Sequence, residues 1–272
     1  MTSLLVWAGV DSRGVTSLNM VADSRITFSN GDVWDSAMKV FAATTHPLML
    51  GYVGDVMFPL LTLPGVLARA DAGIYGSEPR NVVGSVIADI RTAWRTYPTQ
   101  NCHTTTILVG FRRGVGMNSE FELKQLTGRT GSSDMQEVSR SMPDQSAFVL
   151  LKGSGAKAVS EESEQWQQTE AGGTSRAAYA AFVDSLRFGA DPSSGGAPQL
   201  ASIWRDDKPA RTIPVVYETR RYMLGTELFG NAQISGLGEW RGPLFERVDG
   251  QSKRLLAGAQ PHFRPGKGAT AH

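Results

Sequence analysis

The order of the strand-like and helix-like segments constrains the fold of this chain more than any other feature of its 272 residues. Strands come first, followed by two helices, more strands, two further helices and closing strands. A parallel sheet would need a crossover between successive strands, usually a single helix, so this grouping instead predicts an α+β fold with antiparallel sheets. We expect the helices to cover the sheets from outside, in a single-domain, four-layer α/β/β/α sandwich.

Apolar patterning gives the bounds of these segments. The predicted strands are 3–10, 15–22, 39–43, 48–53, 104–111, 120–126, 147–152, 198–204 and 212–218, and the predicted helices are 56–72, 81–97, 156–168 and 175–188. The helix over 81–97 has the clearest apolar stripe, formed by Val82, Val83, Val86, Ile87, Ile90 and Trp94. We assign this stripe to the core and to no function.

Composition excludes several classes of function. A formal net charge of +1 argues against general binding of nucleic acid or of anionic membranes, because both require a basic excess. Uncharged apolar runs fall short of a membrane span, and the N-terminus lacks the basic start of a signal peptide. Cys102 is the single cysteine, so no internal disulfide can form. We expect a cytoplasmic protein.

The tripeptide Asp-Ser-Arg occurs twice near the N-terminus, in two different contexts. The first, at Asp11, precedes Gly14 between two predicted strands and is explained as the tip of a hairpin. The second begins at Asp23, directly after an apolar strand, where a charged residue is harder to explain by structure alone. Asp23 is therefore a candidate functional residue.

Thr2 could carry chemistry if Met1 is removed, because its free α-amine would then lie beside its own hydroxyl. The unperturbed pKa of such an amine, about 7.7–8.0, leaves a neutral fraction near pH 7 that can accept a proton. Nucleophile and base would then come from one residue. A nearby cation would lower the pKa of the amine, and Lys39 is the candidate, with Asp23 to hold it in place.

These residues belong to a set of segments that, taken in order, resembles the catalytic β-subunit of the proteasome and its bacterial relatives. The set is Thr2, 22–27 (ADSRIT), 39–40 (KV), 50–54 (LGYVG), 152–155 (KGSG) and 191–196 (DPSSGG). Asp23 and Lys39 stand sixteen residues apart, as the family's aspartate and lysine do. The match covers roughly residues 2 to 220. The chain resembles an N-terminal-nucleophile hydrolase and is similar to the homologue type described in betaproteobacteria.

The resemblance implies a threonine-type endopeptidase. Thr2 would be the nucleophile and, through its α-amine, the base. Lys39 would tune the amine, and Asp23 would orient Lys39. The product of the first step would be an acyl ester on the Thr2 hydroxyl, with a polypeptide as the substrate.

The remaining site residues also follow from the resemblance. Ser154, Asp191 and Ser194 would form a polar cluster that holds the α-amine and a water molecule. The backbone N–H of Gly54 would stabilise the oxyanion. Thr27 would pair with the backbone of an extended substrate, as an added strand does.

Several positions depart from the family pattern. Thr2 and Asp23 lie further apart than is usual, because the Asp11–Gly14 hairpin is longer. The family's second glycine after the oxyanion strand is Asp55 here, which brings an acid to the rim of the pocket. We divide the chain into a hydrolase domain, 1–248, and a basic, flexible C-terminal tail, 249–272.

Assembly and alternatives follow from the same resemblance. Family members form stacked rings, so we expect stacked homo-oligomeric rings; the sequence is silent on an ATP-dependent unfoldase as a partner. A ring-forming subunit without catalytic activity is one alternative, favoured if Met1 stays or if Asp55 blocks the pocket. A small-molecule amidase that uses Thr2 is the other.

Two further signals have weaker interpretations. The segment 153–158 (GSGAKA) fits a dinucleotide-binding fingerprint, but a second helix follows where the next strand of a βαβ unit should stand. Cys102 and His103 are adjacent, and in a strand they would point to opposite faces. The histidines show no metal-binding spacing. We expect neither a cofactor nor a metal.

Overall fold

The structure is a computed structural model that describes residues 2–98, 103–188, 191–230, 232–234, 236–261 and 263–264. Within these residues the fold is mixed α+β, with antiparallel sheets and four α-helices. The helices are α1 (Met57–Asp71), α2 (Pro79–Thr96), α3 (Ala156–Gln167) and α4 (Ser175–Arg187).

Three five-stranded sheets and one short hairpin contain the strands. The first sheet has the order β10 (Ala147–Gly153), β1 (Ser3–Asp11), β2 (Gly14–Ala22), β11 (Gln199–Trp204), β12 (Arg211–Ile213). The second has the order β5 (Val40–Ala42), β6 (Leu48–Gly54), β7 (Thr105–Arg113), β8 (Glu120–Gly128), β9 (Gln136–Arg140). The third has the order β15 (Thr226–Glu227), β14 (Arg220–Met223), β13 (Val215–Tyr217), β16 (Trp240–Arg241), β17 (Arg247–Val248), and the separate hairpin joins β3 (Ile26–Thr27) to β4 (Val33–Trp34).

The first hairpin forms as the sequence predicts. Asp11 pairs with Gly14 at its tip, and Gly14 has a φ of +106°, which glycine adopts without strain. The Asp11 side chain accepts a hydrogen bond from the Arg13 N–H at 2.8 Å and forms an ion pair with Arg205 at 2.7 Å. The first Asp-Ser-Arg is therefore a turn.

Apolar side chains cover both faces of the first two sheets. One cluster joins the second sheet to α1 and α2, and includes Tyr52, Phe58 and Trp94. A second cluster lies between the first and second sheets. A third joins the first sheet to α3, α4 and the third sheet. The α2 stripe is buried as predicted, with Ile87 half-buried at its margin.

The sequence prediction of one strand over 212–218 is wrong, because the segment contributes to two sheets. Arg211–Ile213 pairs with β11, whereas Val215–Tyr217 pairs with β14 and β16. Pro214 separates them, and a proline has no N–H to continue a ladder. The sequence analysis also missed β3, β4, β9 and the later strands of the third sheet.

Residues after 248 make specific contacts where the structure describes them. Val248 forms a bridge with Leu255, and the Leu256 N–H donates to Arg247 O at 3.0 Å. Arg264 Nε donates to the buried Asp184 Oδ1 on α4 at 2.8 Å. A domain boundary at 248 stays a prediction.

Within the described residues, every helix is too short or too polar to cross a membrane.

Candidate active site

Thr2 is buried at the start of β1 and is held through its backbone. Its carbonyl oxygen accepts a hydrogen bond from the Ser154 N–H at 3.0 Å, just after the end of β10. A side chain on Gly153 would place its Cβ 1.5 Å from this same oxygen, and Gly153 has a φ of +106°. Only glycine fits there, so the Gly-Ser-Gly segment brings β10 against Thr2.

The Asp23 carboxylate connects the chain's start to three other segments. Its Oδ1 accepts the Ser3 N–H at 2.9 Å and the Lys39 ammonium at 2.7 Å. Its Oδ2 accepts the N–H groups of Arg25 and Gly195, both at 3.2 Å. The residue is fully buried, so these donors replace the water that a carboxylate would otherwise bind.

Lys39 is also fully buried, immediately before β5. Its Nζ donates to Asp23 Oδ1 and to the backbone oxygen of Arg25. These two acceptors account for two of the three ammonium hydrogens within the described part of the chain. Burial lowers the pKa of Lys39, and the Asp23 carboxylate opposes this effect.

The polar cluster is joined to the start of β1 through Ser3. The Ser3 and Ser194 hydroxyl oxygens are 2.6 Å apart, and the Ser194 hydroxyl donates to Asp191 Oδ2 at 2.7 Å. Burial raises the pKa of Asp191, but hydrogen bonds from the Ser194 and Ser154 hydroxyls and the Ser193 N–H outweigh it, so the pKa is lowered. Asp191 therefore stays an anion beside the start of β1.

Gly155 leaves room for this cluster. A Cβ at Gly155 would lie 2.0 Å from the Ser3 hydroxyl oxygen and 2.8 Å from that of Ser194. Both glycines of the dinucleotide-like segment are thus explained by close approach to Ser3, Thr2 and Ser194. β10 also pairs antiparallel with β1, and α3 leads into α4, so the βαβ unit that a dinucleotide site needs is absent from this described region.

The Thr2 hydroxyl has no hydrogen-bond partner among the described residues, although its oxygen is buried. A buried hydroxyl without a partner is costly, and such groups often have a role in chemistry. The backbone of Thr2 is held on both sides: Ser154 donates to its carbonyl oxygen, and the N–H of the next residue, Ser3, donates to Asp23.

Gly54 ends β6 with a φ of +98°, and a Cβ there would lie 2.1 Å from Thr104 O. The next residue, Asp55, lies just before α1: its Oδ1 accepts the Met57 N–H at 3.0 Å, and its Oδ2 accepts the His103 N–H at 3.3 Å. The carboxylate is thus engaged by backbone donors, one of them at the positive end of a helix. This gives Asp55 a structural role that does not require it to block a pocket.

Thr27 lies in β3, opposite Val33 of β4. Phe28 donates its N–H to Asp32 O at 2.8 Å, which makes that pair a hydrogen-bonded one. Antiparallel pairs alternate, so Thr27 is at a non-hydrogen-bonded position and its N–H and C=O point to the open edge of β3.

Other predicted features have separate outcomes. Cys102, His262 and His272 lie outside the described residues. His46 Nε2 is 3.2 Å from Ala70 O, a structural contact. Across the described ranges, no three His, Cys, Asp or Glu side chains form a group that could hold a metal ion.

Sequence reasoning missed three supporting residues: Ser3, Arg25 and Gln199. Arg25 forms a two-pronged ion pair with Asp35 and donates to Pro192 O at 3.0 Å, which ties the second Asp-Ser-Arg to the 191–196 loop. Its place beside Asp23 was a usable signal. Gln199 is a single glutamine at the start of β11, and its sequence context gives no signal of a role.

A cavity of about 590 Å³ opens beside the polar cluster. Its lining includes Arg25, Asp191, Ser194, Tyr217 and Glu227, and does not include Thr2 or Lys39. The cavity therefore reaches the cluster without containing the predicted nucleophile.

Comparisons with known proteins find similarity in structure but not in sequence. The sequence matches no protein-family model, and no curated protein is similar enough to count as a match. Among solved structures, the chain is similar to eukaryotic HslV from Trypanosoma brucei, with a TM-score of 0.46 and 13% identity. The alignment covers 75% of this chain and 99% of that chain.

Proposed function

We propose that this chain is a threonine-type endopeptidase in which Thr2, freed of Met1, is both nucleophile and base. The observation that carries the proposal is the shared oxygen of Asp23. Its Oδ1 binds the Ser3 N–H, one peptide bond from Thr2, and also the Lys39 ammonium. The proposed nucleophile, the cation that tunes it and the anion that orients the cation thus belong to one buried unit.

The first step forms an ester bond. The neutral α-amine of Thr2 takes the hydroxyl proton as the hydroxyl oxygen attacks the peptide carbonyl carbon. A positive charge on Lys39 would lower the pKa of this amine and favour its neutral form. The negative charge on the carbonyl oxygen is stabilised by the Gly54 N–H. The protonated amine then gives its proton to the leaving amine, and the peptide C–N bond breaks.

The second step reverses these roles with water. The α-amine takes a proton from a water molecule, whose oxygen attacks the ester carbonyl, and the Thr2 oxygen leaves with that proton. We assign to Ser154, Asp191 and Ser194 the role of holding the amine and this water; the hydrogen bond between the Ser194 hydroxyl and Asp191 Oδ2 supports the assignment. The anion at Asp191 favours the protonated amine that forms in each step.

The open edge of β3 supports the choice of a polypeptide substrate. Thr27 presents its N–H and C=O away from β4, so an extended peptide can add there as a strand. Backbone pairing of this kind depends on several consecutive peptide groups, which a small amide lacks.

The architecture is proposed to be the α/β/β/α sandwich of the N-terminal-nucleophile hydrolases, since apolar clusters join helices to sheet, sheet to sheet, and sheet to helices. We further propose stacked homo-oligomeric rings, a cytoplasmic location, and a hydrolase domain over 1–248 followed by the tail 249–272. An unfoldase partner is left to experiment.

Three measurements test the function. Intact mass should show the loss of Met1, and its retention would exclude the amine as base. A threonine-directed covalent inhibitor, followed by peptide mapping, should label Thr2. Thr2→Ala should abolish peptide cleavage, while the matched variant Thr16→Ala, on the adjacent strand β2, should keep it. Cleavage of acylated small amides without cleavage of peptides would instead identify an amidase.

A further inference from the structure

Gln199 is a fully buried amide at the junction of the first two sheets. Its Nε2 donates to Asp23 O at 3.0 Å and to Ala37 O at 2.6 Å. Its Oε1 accepts the Lys39 N–H at 2.8 Å. All three bonds are made to the backbone, so the side chain acts as an additional peptide group between two segments.

The two segments carry the proposed catalytic charges. Asp23 directly follows β2, beside β11 in the first sheet, whereas Lys39 directly precedes β5 of the second sheet. Pairing within one sheet cannot fix their relative position. The amide of Gln199 bridges this gap without adding a charge.

We propose that Gln199 is a positioning residue that holds Lys39 at its place relative to Asp23 and Thr2. This inference rests on the proposed function and deepens it. Gln199 touches neither the Thr2 hydroxyl nor a side-chain atom of the ion pair in its described contacts. It acts through the backbone of Asp23, Ala37 and Lys39.

The third sheet supports this bridge from outside. The turn between β14 and β15 contains Gly225, whose φ is +81°. A Cβ on Gly225 would lie 2.5 Å from Ser24 Cβ and 3.3 Å from Gln199 Nε2. The Ser24 hydroxyl is within 2.9 Å of Asp35 O and of Ala197 O. The C-terminal part of the chain thus closes directly over Gln199.

Loss of the bridge has a defined kinetic consequence. If Lys39 moves away from Thr2, its charge lowers the pKa of the α-amine less, so this pKa rises. The amine must be neutral to act as base, and the acidic limb of the pH–rate profile therefore moves to higher pH. Since misplacement affects the chemical step, kcat falls about ten- to a hundredfold while KM changes little.

The test compares Gln199→Met, which keeps length and removes the amide, with Asn19→Leu as control. Asn19 is a buried amide of the same sheet, bonded to Ser17 and Ser202. We expect only the Gln199 variant to show the lower kcat and the shifted acidic limb. A loss of stability in both variants, with unchanged pH profiles, would overturn the proposal.

A second pair of variants guards against a Gln199 variant that does not fold. Gly225→Ala pushes on the bridge from outside. Gly258→Ala introduces similar backbone strain, at a φ of +78°, where a Cβ meets nothing within 4 Å. We expect Gly225→Ala to shift the acidic limb in the same direction as Gln199→Met, and Gly258→Ala to leave it in place. The same acidic limb in the pH–rate profiles of the two alanine variants would contradict the proposal that Gln199 positions Lys39.

A readout that needs no activity separates this inference from the proposed function. NMR titration of the Lys39 side chain in the full chain should differ between the native protein and Gln199→Met, and should match the native curve in Asn19→Leu. Absence of peptide cleavage by the native chain would reject the proposed function alone. An unchanged Lys39 titration in Gln199→Met would reject the positioning role alone.

Discussion

The protonation states of the buried residues Asp23 and Lys39 depend on two opposing effects, burial and the charge of the partner. Burial raises the pKa of the Asp23 carboxyl and lowers that of the Lys39 ammonium, so each group alone would tend to be neutral. Each one's charge opposes the effect on the other, and backbone N–H groups add bonds to the carboxylate. Because these effects oppose each other, small movements of the groups around Lys39 should change its pKa.

Asp191 gives a prediction of pH dependence at the same scale. Its pKa is lowered from 3.8, so its stabilising contribution is complete above that value and is lost as the pH falls through the lower, folded-state pKa. Asp191→Asn should lower the free energy of unfolding by about 1 kcal/mol near neutral pH, because it replaces hydrogen bonds to a charged group by weaker bonds to a neutral one. The deficit should shrink below about pH 4.

Chemical denaturation at several pH values measures this difference. Asp144→Asn, which changes an exposed carboxylate, is the control and should follow the native curve throughout. A deficit for Asp191→Asn that grows as the pH falls from 5 to 3 would have the wrong sign and would contradict this assignment.

Among the elements, β10 and the Gly153-Ser154-Gly155 turn do most to set the geometry around Thr2. Gly153→Ala would force a Cβ against Thr2 O and strain a φ of +106°. Backbone strain alone would lower the free energy of unfolding by about 1–3 kcal/mol. We expect a larger loss for Gly153→Ala, because β10 must also move away from β1. Urea unfolding measures the loss, and peptide cleavage should be abolished.

Gly131→Ala is the matched control for this prediction. Gly131 has a φ of +72° in the turn before β9, and a Cβ there meets nothing within 4 Å. Gly131→Ala should show the backbone strain of a positive φ, but no strand has to move to make room for the new Cβ. Equal losses of stability in the two variants would show that the contact with Thr2 has no energetic weight.

The elements also show how far sequence reasoning reaches. β1 and β2 are long and continuously apolar because both faces of their sheet are covered, whereas α2 is long and periodic because it is buried on one face, and both patterns can be read directly from the sequence. β9 escapes because its residues are mostly exposed and carry no apolar alternation. The short strands of the third sheet escape because two to four residues cannot establish a period. Gln199 escapes for another reason, since three backbone partners distant in sequence leave no local trace.

At the scale of the whole molecule, a charged contact ties Arg264, near the C-terminus, to α4. The Asp184 carboxylate on α4 is 4% exposed and bonds Trp166 Nε1 at 3.1 Å and Arg264 Nε at 2.8 Å. Without Arg264, the buried Asp184 carboxylate would keep the neutral Trp166 Nε1–H as its donor but would lose its positively charged partner. This contact makes Arg264 part of the folded structure.

Arg264→Met should therefore destabilise the chain by about 1.5–3 kcal/mol, the range for hydrogen bonds to charged groups. Arg220→Met is the control, because its ion pair with Glu227 is more exposed and worth about 1 kcal/mol or less. Thermal unfolding followed by fluorescence of Trp166 and the other tryptophans measures both. Equal shifts in Tm would mean that water already screens the Asp184 pair.

Thr2 O accepts the Ser154 N–H, and Asp23 accepts hydrogen bonds from the Gly195 N–H and the Gln199 amide, so the surroundings of Thr2 form in a fixed order during synthesis. The ribosome releases Thr2 before any of these three donors. Until they arrive, the Thr2 hydroxyl is not buried as it is in the folded chain. The removal of Met1 that the proposed function requires would therefore be easiest on the nascent chain, before the tertiary structure forms around Thr2.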